Sequence, residues 1–289
     1  GGGRPGGGRP GGGRPGGFGQ GGGGPGGGGP GGGGPGSGQS VTGPTTEQEL
    51  VSMAQQQASS GQCSRNAYTC NGNVCSNSAT SIFKEVIEGQ WRILITNGIP
   101  SHTHSVGVQR PNPNEVCVHN SYMRVPLNPQ KGGFRQSGMG PVGIALSGGF
   151  FYNHLDGNQQ VAAVTEGATF DSCNGHPDPS CRYHYHKVPT CLDPGASCKL
   201  MGYMMDGFPV YSFCRVDGVQ LQSCYKQTSG DGSNPGHFTY QADSSCHLDE
   251  ANGYEFGGHR GYGYVFSENY PFIMRGFMGS QTYSICEVY

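Results

Sequence analysis

Residues 170–191 read FDSCNGHPDPSCRYHYHKVPTC, and their centre, Tyr183-His184-Tyr185-His186, alternates with a period of two. In an extended strand that alternation sends both imidazoles to one face and both phenols to the other. Upstream, Asn174-Gly175 supplies a turn, and His176 precedes Pro177-Asp178-Pro179, which is incompatible with helix. Three imidazoles within eleven residues, one pair of them fixed on a shared face, suit a borderline metal such as zinc or copper. The same residues also read as buried histidines bonded to carboxylates such as Asp171 or Asp178.

Outward from this stretch the chain keeps the strand-and-turn rhythm. Thr46-Glu47-Gln48-Glu49 fits a capping box, and Leu50, Ala54 and Ala58 recur at four-residue spacing before Gly61, which predicts a short helix at about 47–59. Residues 82–87 and 91–95 alternate as strands around a Glu88-Gly89 turn. Asn97-Gly98-Ile99-Pro100 ends the second strand and leads to His102 and His104, another i, i+2 pair; these read as loop histidines or as further ligands for the central cluster. Short strands are predicted at 116–119, 121–127, 142–147, 161–164, 200–205, 210–213 and 237–240, separated by Gly, Pro and Asn. Asp206, in a turn between two of them, suits either an imidazole partner or a cap on its own turn. The expectation is a mainly β, disulfide-stapled compact domain, sandwich-like, with one short N-terminal helix and an extended Gly-rich arm.

CNGHPDP at 173–179, YHYH at 183–186 and LMGYMMDGFPVYSF at 200–213 together resemble the YHYH domain family. The resemblance takes in TNGIPSH at 96–102, RPNPNEV at 110–116 and MGPVGIALSGGFFYN at 139–153, and runs to about Gly279, roughly two thirds of the chain. It implies a secreted or surface domain and no particular reaction. His102 matches the NGIPxH pattern of the family more closely than His104 does. Residues 248–272 echo 170–189: LDEANGY parallels FDSCNGH, and Gly261-Tyr262-Gly263-Tyr264-Val265 parallels Arg182-Tyr183-His184-Tyr185-His186. Tyr254, Gly263 and Val265 replace the three histidines, and Ala251 replaces Cys173. The family can carry a YHYH-like sequence in this later segment, so the chain departs from it there.

Charged residues make up only 12% of the 289, which argues against nucleic acid as a partner. Twelve cysteines with no CxxC spacing predict disulfides in an oxidising compartment rather than a zinc ribbon. The chain has no initiator Met and no apolar leader, so it reads as a mature secreted, extracellular form, and no run is long enough to span a membrane. It also has no Asn-x-Ser/Thr sequon.

The first 35 residues are pentapeptides: GGGRP three times, GGFGQ once and GGGGP three times. Such a segment cannot bury a core of its own. Residues 1–40 form the arm, 41–80 a helix and Cys-rich connector, and 81–289 the β domain. The arm carries three arginines and no acid, whereas the remainder has a net charge of −5. That asymmetry, with Arg4, Arg9, Arg14, Pro25, Pro30 and Pro35 along the arm, predicts docking of arm on body between subunits. These features suit two functions. One is an extracellular structural protein that self-assembles into a homopolymeric fibre or matrix. The alternative is a metal-binding protein or secreted copper or zinc enzyme using His184 and His186, with His176, His102 or His104 completing the set. No hydrolase triad, nucleophile elbow or phosphate loop is present.

Overall fold

Thr46 and Glu49 form the capping box: the Thr46 hydroxyl accepts from the Glu49 amide at 3.2 Å, and the Glu49 carboxylate accepts from the Thr46 amide at 3.1 Å. The helix they start, α1 (Glu47–Ser60), ends on Gly61 in the left-handed conformation. Its buried stripe is Leu50, Ala54 and Ala58, the three residues whose spacing predicts it. The computed structural model describes residues 44, 46–63, 79–104, 112–195 and 197–288. The arm, with Arg4, Arg9, Arg14, Pro25, Pro30 and Pro35, lies outside the described residues, as do Cys70 and Cys75. The chain divides into two units, residues 1–40 and 41–289, and every described residue belongs to the second.

Among the described residues the strands are β1 (Phe83–Glu88), β2 (Trp91–Thr96), β3 (Ser121–Pro126), β4 (Lys131–Gln136), β5 (Pro141–Ala145), β6 (Phe150–Tyr152), β7 (Gly175–Pro177), β8 (Tyr183–Tyr185) and β9 (Leu200–Met204). They continue with β10 (Pro209–Tyr211), β11 (Arg215–Val216), β12 (Val219–Gln220), β13 (Tyr225–Gln227), β14 (Phe238–Tyr240), β15 (Gly253–Glu255), β16 (Tyr262–Val265), β17 (Gly276–Gly279) and β18 (Ile285–Glu287). A four-stranded antiparallel sheet has the order β1-β2-β3-β18, and an eight-stranded sheet the order β15-β16-β10-β9-β5-β6-β8-β7. Strand alternation gives the smaller sheet two apolar faces. Ile93, Ile95 and Tyr122 pack against α1, whereas Leu94, Met123 and Val125 pack against Ile144, Phe150 and Tyr203 of the larger sheet. The opposite face of the larger sheet holds the main core, with Phe151, Tyr183, Tyr185, Val210, Tyr262 and Tyr264. The fold is thus mainly β, with two sheets packed face to face, as expected.

The larger sheet is one four-stranded unit used twice. β5, β6, β7 and β8 form the first copy and β9, β10, β15 and β16 the second, each a hairpin followed by a long excursion and a second hairpin. In both, the last strand pairs parallel to the second: β8 on β6, β16 on β10. The copies join through antiparallel β5 and β9 in the register Gly143↔Met204, Ile144↔Tyr203, Ala145↔Gly202, which maps onto itself when the copies are exchanged. A pseudo-two-fold axis therefore passes through the Ile144/Tyr203 pair.

Disulfides join Cys63 to Cys286, Cys173 to Cys191, Cys198 to Cys214 and Cys224 to Cys246; Cys117 and Cys181 are also disulfide-bonded, and no described cysteine is free. Two strand expectations fail. Residues 116–119 join no ladder, because Cys117 donates to the Cys181 carbonyl and His119 to that of Asn97, tying the segment to two separate partners. Residues 161–164 lead instead into α2 (Ala162–Thr165), after a single bridge from Val161 to Leu155. Four apolar residues carry no period that separates strand from helix. No helix among the described residues is long and apolar enough to cross a membrane.

Candidate functional site

The hairpin of β7 and β8 is built at both ends by aspartates. The Asp171 carboxylate accepts from the amides of Cys173 (2.8 Å) and Gly175 (3.1 Å), with Asn174 between them at φ 61°. Asp178 does the same at the other end for Ser180 (2.8 Å) and Arg182 (2.9 Å). These caps impose the register Gly175↔Tyr185, His176↔His184, Pro177↔Tyr183. Tyr183 and Tyr185 consequently point into the main core, and Tyr183 donates to Asp171 at 2.7 Å. Gly175 is required there, since a Cβ would collide with the Tyr183 hydroxyl. His176, His184 and His186 share the other face, as the alternation predicts.

These three imidazoles are 5%, 2% and 2% exposed, and their ligand atoms lie within 4.8 Å of one another. Their tautomers follow from their partners. The Nδ1 of His184 lies 3.0 Å from the Arg182 carbonyl, and that of His186 lies 2.6 Å from the Asn153 carbonyl; a carbonyl only accepts, so both Nδ1 atoms carry the proton. The Nδ1 of His176 lies 2.7 Å from the Thr169 hydroxyl, which donates its own proton to the Glu166 carbonyl at 2.7 Å and so must accept from the imidazole. Burial holds all three rings neutral. It lowers His176 to about 3, with His186 adding to the effect, and His186 to about 4; it drives His184 well below the usual range, aided by His176 and His186. Each neutral ring therefore presents a bare Nε2 lone pair. Those of His184 and His186 face each other at 2.9 Å, and that of His176 is buried without a hydrogen-bond partner.

Glu166 completes the cluster. Its Oε2 is 3.8 Å from the His176 Nε2 and 3.7 Å from the His186 Nε2. Burial, with Asp156 nearby, raises its carboxyl to about 7. Asp156 is itself committed to its loop, accepting from the amides of Asn158 and Gln160 and from the Thr165 hydroxyl, each at 2.8 Å. The Tyr152 ring stacks on His184 with centroids 3.8 Å apart and donates its hydroxyl to Asp178 at 2.5 Å, which fixes the imidazole plane. The cluster opens into a cleft of about 480 Å³, a volume suited to small ligands. Neither Glu166 nor Tyr152 was legible as a site residue: Glu166 follows α2 in a segment without periodicity, and Tyr152 reads as one more strand aromatic.

The other candidates lie elsewhere. The His102 Nε2 accepts from the Tyr185 hydroxyl at 2.6 Å, and the His104 ring lies 5.8 Å from that of Tyr183, so both histidines sit on the tyrosine side of β8, away from the three imidazoles. His102 does fall near Cys173 and Cys191, but those sulfurs are joined and offer no thiolate. Asp206 caps its own turn at the Phe208 amide and accepts from Tyr264 at 2.5 Å, not from an imidazole.

The second copy preserves the scaffold without the cluster. Asp249 accepts from Ala251, Gly253 and Tyr262 as Asp171 does from Cys173, Gly175 and Tyr183. Asn252 has φ 68°, and a Cβ on Gly253 would strike Tyr262. The register pairs Tyr254 with Gly263 where the first copy pairs His176 with His184. The Tyr211 ring occupies the space over Gly263, Phe256 meets it edge-on, and the Arg260 guanidinium lies over both rings. A cleft of about 550 Å³ lies beside these rings. It is larger than the first, yet among the described residues its lining includes a single imidazole, that of His259, and so no converging set of metal ligands.

The family model described as YHYH protein matches residues 122–279, more than half of the chain. The match includes both copies of the repeated unit and stops short of the motifs at 96–102 and 110–116. No curated protein and no solved structure matches the chain.

Proposed function

This chain belongs to the YHYH family, and from that premise we propose that it is a secreted protein binding one copper(II) or zinc(II) ion per chain through the Nε2 atoms of His176, His184 and His186, with Glu166 as the fourth group. One observation carries the reading: three neutral, buried imidazoles, each with its Nδ1–H tied to an acceptor, turn bare lone pairs toward one point. This is how metal-ligating histidines are held, by an acceptor on the far nitrogen. Nitrogens on a tetrahedral zinc stand about 3.3 Å apart for bonds of 2.0–2.1 Å, so the 2.9 Å pair needs only a few tenths of an ångström of adjustment. The bound cation would also give the Glu166 carboxylate a countercharge. The disulfides and the lack of a membrane-spanning helix among the described residues support the extracellular assignment.

The test is calorimetric titration of metal-stripped full-length protein. One ion per chain is expected. Replacing His184 by Ala should weaken binding by more than the roughly 10–100-fold cost of losing an outer partner of a ligand, and Glu166→Gln, which keeps an oxygen donor but removes its charge, should weaken it less than His184→Ala does. Wild-type protein that takes up no stoichiometric ion, or a His184→Ala variant that binds as tightly as wild type, overturns the proposal. Assembly through the arm is a separate proposal that rests on the pentapeptide repeat and its arginines. The two are compatible, because the imidazoles and the arm share no residue.

A further inference from the structure

Every ligand of the proposed site except Glu166 lies between Cys173 and Cys191, which are joined by a disulfide. The hairpin that carries them is weakly held by its ladder alone. β7 and β8 pair over three residues each, and among the described residues β7 is the edge strand of the larger sheet, with β8 as its one strand neighbour. The turn end is secured by Asp178. At the open end, Cys173 precedes β7 and Cys191 follows β8, and the Asn174 side chain donates across to the Val188 carbonyl at 2.8 Å. His186 lies beyond the last paired residue of β8, so its distance from His176 depends on that end staying closed.

The second copy separates scaffold from site. It keeps the aspartate, the left-handed asparagine, the glycine and both tyrosines, and its Asn252 donates to the Val265 carbonyl at 2.8 Å. It replaces the cysteine by Ala251 together with all three histidines, and its hairpin still forms. The repeated scaffold thus closes a hairpin without a cross-link in the second copy, and the cross-link is present where the imidazoles are.

We infer that the Cys173–Cys191 disulfide is a positioning element of the imidazole site, holding His176 on the edge strand against His184 and His186, so that metal affinity depends on the oxidation state of this bond. The inference rests on the metal-binding reading. Cys191 is exposed and accessible to a thiol reductant. A dithiol supplies two electrons and two protons: the sulfur–sulfur bond becomes two thiols, and the reductant closes to its own disulfide.

The experiment compares two full-length double variants, Cys173→Ala with Cys191→Ala, and Cys198→Ala with Cys214→Ala. The bonds they remove span similar sequence separations, 18 and 16 residues, so the loss of chain restraint is matched. Zinc(II) is titrated into each at a temperature where circular dichroism shows both folded. The first variant should bind roughly 10–100-fold more weakly than wild type, and the second as wild type does. Partial reduction of wild-type protein by a dithiol, with the opened bond mapped by mass spectrometry, makes the same comparison without substitution: zinc release should follow opening of Cys173–Cys191 and not of Cys198–Cys214. Equal affinity in all three proteins, or equal loss in both variants, overturns the inference while leaving metal binding intact. Wild-type protein that binds no zinc(II) or copper(II) removes both.

Discussion

Replacing His119 by Gln should make the protein's stability less sensitive to acid. His119 is 1% exposed and its Nε2 lies 2.9 Å from the Ser180 carbonyl, in the turn that Asp178 organises beside the imidazole cleft. Burial, reinforced by the Arg182 guanidinium, lowers it from an ordinary 6.5 to about 4. Between those values the unfolded chain binds a proton at this residue that the folded protein does not. Stability therefore falls as pH falls through that window, is untouched by this group above it, and has lost the full contribution below about 4. The whole gap is worth about 3 kcal/mol, and the part between pH 6.5 and 4.5 about 2 kcal/mol. Gln can still donate an N–H to the Ser180 carbonyl but cannot take up the proton. Urea unfolding of metal-free protein at several pH values between 7.5 and 4.5 gives the two curves. Whatever the offset between them at pH 7.5, the variant should gain about 2 kcal/mol relative to wild type by the acid end. His154, lowered to about 3 mainly by burial, leaves an acid dependence in both proteins and cancels in the difference. Parallel curves would refute the argument, because they would mean that His119 is protonated as readily in the folded protein as in the unfolded chain.

The two copies make a paired prediction. Tyr183→Phe and Tyr262→Phe each take a donor from an aspartate that has the same role, so each should cost about 1–3 kcal/mol in urea unfolding, with the double variant additive to about 0.5 kcal/mol. A silent member of the pair would break the equivalence drawn between Asp171 and Asp249. For the arm, removal of residues 1–38 should abolish polymers detected by light scattering and microscopy; a truncated body that polymerises like the full chain makes the arm a tether only.

Local chemistry was legible and long-range placement was not. The capping box at Thr46, the period-two alternation at Tyr183-His184-Tyr185-His186 and the near-repeat at 248–272 each depend on residues a few positions apart, and each is realised in the fold. His102 and His104 show the limit. Their i, i+2 spacing resembles that of His184 and His186, but which face of β8 they meet is decided by where the turn after Asn97 delivers them. Glu166 reaches the imidazoles through the excursion between β6 and β7, whose course no periodicity encodes. The duplication was only half visible. The echo of 170–189 in 248–272 stands out through Asn-Gly and the tyrosines, whereas the match of MGPVGIALSGGFFYN to LMGYMMDGFPVYSF rests mainly on Gly143 and Gly202, Gly148 and Gly207, and Tyr152 and Tyr211. Gly143 and Gly202 recur because the central strands approach too closely for a Cβ, which at Gly143 would lie 2.6 Å from the Tyr203 carbonyl oxygen, and Gly148 and Gly207 recur because both turns need a positive φ, 98° and 90°.

The same duplication bears on whether the three histidines are merely structural. A structural imidazole in a core is stable when its ring nitrogens are both satisfied or one faces apolar groups. Here the tautomers set by the Nδ1 partners leave two Nε2 lone pairs opposed at 2.9 Å, and the His176 Nε2 is buried beside them without a hydrogen-bond partner, a loss of about 1–3 kcal/mol for that atom alone. The second copy demonstrates that the scaffold does not require this. With the same aspartate, asparagine, glycine and tyrosines it closes the corresponding hairpin over Tyr254, Gly263 and Val265, filling the space with the Tyr211 ring. The first copy keeps this conflict where the second copy closes the same scaffold without it, and it surrounds the imidazoles with Thr169, the Arg182 and Asn153 carbonyls and the stacked Tyr152, each of which orients a ring without relieving the conflict at Nε2. On the proposed reading, a cation at the point where the lone pairs meet would satisfy all three nitrogens and the Glu166 carboxylate together, and would turn the arrangement from a cost to folding into a source of stability in the loaded protein.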